Sequence, residues 1–245
     1  MLGRFLELGV TTDEIGESYE FLQTIGFRNV ATGDIRPHAY AVLDAGDFCI
    51  GLHAIDSAEA KLIFVRSDLE SHSRALRRQK IRFEYSRLTS DEFNELGFCD
   101  PEGIQLELVE AQTFSPGERR EGGSPICGEF LEYSTTTQAL DKSVAFWAGL
   151  GFESIASGDE PHRWQRMSGS GLVIGLHESA WFEPGPSFRA TDLDTRLEFL
   201  GLKQVEVIDH RRDRCPLAAR AKLVSPDGLP LYLFEATEEP DTITS

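Results

Sequence analysis

Apolar and polar residues alternate from position 5 to 11, with Leu6, Leu8 and Val10 on one side and Glu7, Gly9 and Thr11 on the other. A period of two predicts a strand with one buried face, and Glu7 on the opposite face. The period then lengthens. Ile15, Tyr19, Leu22 and Ile25 recur at helical spacing, after a Thr11-Thr12-Asp13-Glu14 start with the spacing of a capping box and before a Gly26-Phe27 stop. Strands are predicted over 27–31, 38–43 and 48–54, separated by turn-forming Gly33-Asp34 and Asp44-Ala45-Gly46-Asp47. The unit is β-α-β-β-β. A second begins at Lys61, with a strand over 62–65, a basic helix from Asp68 to Arg78, a strand over 81–85, the turn Asp100-Pro101-Glu102-Gly103 and an alternating strand over 104–109.

The pattern then repeats. Ile50-Gly51-Leu52-His53 returns as Ile174-Gly175-Leu176-His177, an offset of 177 − 53 = 124, and Pro37-His38 returns as Pro161-His162 at the same offset. Residues 146–152 (FWAGLGF) answer 21–27 (FLQTIGF), and Leu140, Val144, Trp147 and Leu150 repeat the first helix face. Between the copies, the Pro-, Gly- and Ser-containing stretch 112–128 has linker composition. The predicted organisation is a first domain over 1–111, a linker over 112–128, a second domain over 129–236 and an acidic tail over 237–245.

Composition narrows the class. A chain of 245 residues with 40% hydrophobic content and 16 Phe can fill two cores, and no run reaches the ~20 apolar residues of a membrane span. No signal-peptide pattern opens the chain, so a cytoplasmic location is expected. The four cysteines lack metal-site spacing and read as free thiols. A net charge of −17 argues against nucleic acid and anionic membranes as partners and permits a neutral or cationic small-molecule ligand. Oligomeric state is not encoded in any pattern found.

Four β-α-β-β-β units, the S-x-x-F…G-F helices (Ser18 to Phe27, Ser143 to Phe152) and a D-P-[DE]-G turn before the last strand of the first half, answered by Ser225-Pro226-Asp227-Gly228 in the second, together resemble the vicinal oxygen chelate superfamily. That group includes glyoxalase I, extradiol dioxygenases and bleomycin-resistance proteins. The resemblance covers roughly residues 4–111 and 129–236. It implies an α+β fold of two tandem glyoxalase-like domains, each a cupped mixed sheet with helices outside, and a small ligand held in the cup. It also implies metal ligands on the first and last strands of the units, at Glu7, Gly51, Lys61 and Glu107 in the first half and at Glu132, Gly175, Gly185 and Tyr232 in the second.

Glycine has no side-chain donor and lysine repels a cation, so the donor set is incomplete in both halves. Two readings follow for the first half. Strand alternation puts His53 on the face of Gly51, and Glu7, His53 and Glu107 would then suit Zn, Mn, Fe or Ni in a lyase, isomerase or dioxygenase. Alternatively, Lys61 lies in the cup near Glu7 and Glu107 and neutralises them in place of a metal, so that no cofactor is needed. The second reading is favoured, because the unsuitable residues outnumber the suitable ones over the two halves. His38, Tyr40, Lys61, Glu132, Trp164, His177 and Tyr232 are expected to line the cups, with His38 and His162 at the rim. Asp68 and Asp192 read as helix caps. A third reading is sequestration of a cationic drug by an acidic protein.

Overall fold

The computed structural model describes residues 2–31, 38–55, 60–88, 94–110, 125–179, 182–210 and 217–236. Most of the expected linker and the whole expected tail lie outside them.

In the first half, β1 (Arg4–Thr11), α1 (Ile15–Thr24), β2 (Arg28–Val30), β3 (Tyr40–Asp44) and β4 (Cys49–His53) form one unit. A second comprises β5 (Lys61–Arg66), α2 (Leu69–Arg78), β6 (Tyr85–Arg87), β7 (Glu95–Cys99) and β8 (Gln105–Glu110). They build an eight-stranded mixed sheet in the order β2-β3-β4-β1-β5-β8-β7-β6. The second half repeats this with β9 (Glu129–Thr136), α3 (Leu140–Gly149), β10 (Glu153–Gly158), β11 (Trp164–Gly169) and β12 (Leu172–His177). Its last unit holds β13 (Gly185–Ala190), α4 (Leu193–Leu202), β14 (Ile208–Asp209), β15 (Ala221–Val224) and β16 (Pro230–Glu235). The second sheet has the equivalent order, β10-β11-β12-β9-β13-β16-β15-β14. Two tandem domains with cupped mixed sheets and helices outside are thus observed as expected.

Alternation sorts the two faces of the first sheet. Phe5, Leu8, Val10, Ile50, Leu52, Leu62, Phe64, Leu106 and Leu108 enter the main core under the helices, with Leu22 and Ile25 of the α1 segment. Glu7, Gly51, Ile63 and Glu107 take the opposite, cup face. A bulge between Phe5 and Glu7 resets the register so that Glu7 pairs with Ile63, and Ile63 in turn with Glu107. The core is continuous across the halves: Phe48 stacks on Phe130 with centroids 4.3 Å apart, and Phe27 meets Phe188 edge-on at 5.9 Å.

Several local expectations change. The strand predicted over 81–85 forms only from Tyr85, because Ile81 and Phe83 turn into the core as loop residues, and the unpredicted β7 supplies the fourth strand. Thr11 and Glu14 form no capping box; the Thr12 hydroxyl accepts the Glu14 amide at 3.1 Å. Asp68 and Asp192 occupy N-cap positions but make no side-chain cap bond, since Arg66 and Arg196 engage them instead. Cys49, Cys99 and Cys127 are free thiols, and burial pushes the Cys127 thiol up. No helix among the described residues is long and apolar enough to cross a membrane.

Candidate functional site

The cup of the first sheet has two polar walls separated by an apolar strip. On one wall β1 contributes Glu7, which is fully buried, and β4 contributes His53. His53 Nε2 lies 3.1 Å from Glu7 Oε1, Tyr40 Oη donates to Glu7 Oε2 at 2.5 Å, and His53 Nδ1 lies 3.0 Å from His38 Nε2. His53 thus bridges Glu7 and His38 through its two ring nitrogens.

On the other wall, Lys61 Nζ donates to Glu107 Oε2 at 3.1 Å, and Tyr85 Oη donates to the same oxygen at 2.6 Å. The ammonium also sits 5.5 Å from the Tyr85 ring centroid. Burial, and then the Glu107 charge, push the Tyr85 phenol well up, so it remains a donor. Ile63 stands between the walls, paired across the ladder with both Glu7 and Glu107. Lys61 partners Glu107, whereas Glu7 is engaged by His53 and Tyr40.

The second cup repeats one wall and replaces the other. His162 Nε2 lies 3.0 Å from His177 Nδ1, and His177 Nε2 lies 2.6 Å from Glu132 Oε1. Arg166 Nε donates to Glu132 Oε2 at 2.6 Å, and Ser134 Oγ donates to Oε1 at 2.8 Å while also bonding Ser187. Burial alone would raise the Glu132 carboxyl, but the His177 hydrogen bond and charge and the Arg166 guanidinium outweigh it and hold Glu132 down at about 2. Trp164 lies over His177 and under Arg166, with centroid distances of 6.5 and 5.3 Å. Where the first cup has Lys61 and Glu107, this one has Gly185 and Tyr232. Tyr232 is buried and donates to the Glu183 carbonyl at 2.9 Å. The Phe182 ring stands between the walls, 5.5 Å from His177 and 6.0 Å from Tyr232.

Each glycine at an expected ligand position has a steric reason. A Cβ added at Gly51 would overlap the Glu7 carboxylate, and one at Gly175 the Glu132 carboxylate. The glutamate of the neighbouring strand occupies the space a ligand side chain would need.

The structure therefore brings His38, Tyr40, His53 and Glu7 together, places Lys61 with Glu107, and places His177 and Trp164 with Glu132. Tyr232 lies apart, packed on Phe182. Among the described residues no three His, Cys, Asp or Glu side chains converge on a point that could hold an ion. Tyr85, Arg166, Ser134 and Phe182 were not singled out from the sequence. Arg166 carried a readable signal, because it shares a strand face with Trp164 two residues away.

No family model matches the chain, and no curated protein matches it. Solved structures do. A catechol 2,3-dioxygenase superposes with a TM-score of 0.61 at 15% identity, covering 96% of this chain and 88% of its own. A variant of homoprotocatechuate 2,3-dioxygenase from Brevibacterium fuscum gives 0.62 at 15% identity, with coverages of 98% and 74%. A halotolerant catechol dioxygenase gives 0.58 at 16% identity, with coverages of 99% and 90%. The chain has the two-domain fold of extradiol dioxygenases, the vicinal oxygen chelate fold.

Proposed function

We propose that this protein binds or transforms a small organic molecule in its cups without a metal at the fold's usual ligand positions. The observation that carries this reading is the Lys61 ammonium 3.1 Å from Glu107 Oε2, with the Tyr85 hydroxyl on the same oxygen. A cation already neutralises the carboxylate that would bind a metal, and a lysine cannot share that oxygen with a divalent ion without strong repulsion. The remaining donors also fit a metal poorly. His53 directs its two ring nitrogens to Glu7 and His38, which therefore lie on opposite sides of the imidazole instead of converging. Glu132 is committed to His177, Arg166 and Ser134. The same engagement of Glu7, Glu107 and Glu132 weighs against a cationic drug as ligand, while the catechol-directed names of the structural neighbours favour a flat, oxygen-bearing compound.

Metal analysis of protein purified without chelator tests the reading. The expected content is well below one ion per chain. Near-stoichiometric Zn, Mn, Fe or Ni that is lost on Glu107→Ala would overturn it, in favour of a metal-dependent lyase, isomerase or dioxygenase using Glu7, His53 and Glu107.

A further inference from the structure

The two cups share their Glu–His–His wall and differ in everything facing it, and this difference separates their roles. In the second cup the facing wall is closed. Tyr232 is 2% exposed and packs with Leu217 and Ala219, and Phe182 lies against it. Phe182 bridges the gap to His177, so the protein's own ring fills the space between the walls.

In the first cup the facing wall is polar and reaches solvent, with the Lys61 side chain 26% exposed and Glu107 11%. An ammonium carries three N–H donors. Lys61 gives one to Glu107 Oε2, and no other acceptor among the described residues takes one from it. Glu107 receives both of its hydrogen bonds on Oε2, which leaves Oε1 as an acceptor without a partner among the described residues. Unused donors and an unused acceptor thus lie side by side, next to the Tyr85 ring and the apolar side chain of Ile63.

We propose that the first cup is the ligand cup and that it takes a small aromatic hydroxy-carboxylate. The carboxylate accepts from Lys61 Nζ, the hydroxyl donates to Glu107 Oε1, and the ring lies on Tyr85 and Ile63. The second cup is a closed copy that Phe182 fills. This inference rests on the metal-free reading above, and the experiment distinguishes the two.

The test uses the full chain, treated with chelator and then dialysed, titrated calorimetrically with 3-phenyllactate, 3-phenylpropionate (no hydroxyl) and 3-phenylpropanol (no carboxylate). Saturable binding of 3-phenyllactate is expected, at least tenfold tighter than either analogue. It should weaken at least tenfold in Lys61→Gln and in Glu107→Gln and stay unchanged in Phe182→Ala. The analogue comparison is made on the unsubstituted chain and so survives a variant that fails to fold. NMR of labelled tyrosine and tryptophan locates the ligand, since Tyr40 and Tyr85 belong to the first cup and Trp164 to the second. Absence of saturable binding, equal affinity for the analogues, indifference to Lys61→Gln, or a shift of Trp164 without one of Tyr85 would each overturn the proposal while leaving the metal-free reading in place. Binding that appears only after Zn, Mn, Fe or Ni is restored would overturn both.

Discussion

Gly51 and Gly175 show how a single side chain decides what its neighbour can be. Each lies under a buried carboxylate that an added Cβ would meet. Gly51→Ala is expected to destabilise the protein by about 2 kcal/mol or more, as overpacking does in a rigid interior, measured by urea denaturation. Gly16→Ala at an exposed position of helix α1, where a Cβ meets nothing, should be neutral or stabilising by up to about 1 kcal/mol. Glu132 gives a pH prediction. Its carboxyl is held at about 2 in the folded protein against an ordinary 4.5, so its contribution is fully present above about 4.5 and is lost as pH falls toward 2. The difference corresponds to roughly 3 kcal/mol. Denaturation of Glu132→Gln at pH 6 and pH 3 should therefore show a smaller loss on acidification than the parent, by about 2 kcal/mol. At this scale the sequence was partly legible. Alternation put Glu7 opposite the buried face and His53 on the face of Gly51, and the family resemblance put Glu7 and Glu107 in the cup, but nothing local in the chain says that Ile63 separates the two glutamates, because that depends on a bulge in β1.

Among the elements, helix α2 shows why local signals mislead. Asp68 has the right residue type and place for an N-cap, yet its carboxylate turns to Arg66. The Leu69 amide instead finds Glu110 Oε1 at 3.1 Å, and the other oxygen of Glu110 takes the Asn94 side-chain amide. A carboxylate at the end of β8 thus supplies the cap from 41 residues away, a distance over which sequence spacing carries no information. Glu110→Ala should cost about 1 to 2 kcal/mol, and Asp68→Ala clearly less, by thermal or urea denaturation. Periodicity served better for the helix faces themselves. Leu22, Ile25, Leu140, Trp147 and Leu150 are all buried where helical spacing put them, since burial of an apolar stripe is the force that makes such helices stable.

For the molecule as a whole, duplication was the most legible feature, and it correctly implied two sheets of equivalent strand order. The joint between the halves was not legible. Nothing in the sequence distinguishes Phe48, Phe130, Phe27 and Phe188 from the other phenylalanines, yet they join two cores into one cluster. Phe130→Ala should cost about 3 kcal/mol or more and lower the unfolding temperature of both halves together, as one calorimetric transition. A second transition appearing in this variant would show that the halves had become uncoupled.

The glycine beneath each glutamate also restricts where the chain can go by single substitutions. Placing a histidine at position 51 would drive it into Glu7, and removing Glu7 first would strip His53 and Tyr40 of their shared partner. The same obstruction stands in the second half, where a Cβ at Gly175 would meet the Glu132 carboxylate that His177 engages. The pairing of glycine with glutamate thus couples two strands: neither position can change in size without the other giving way.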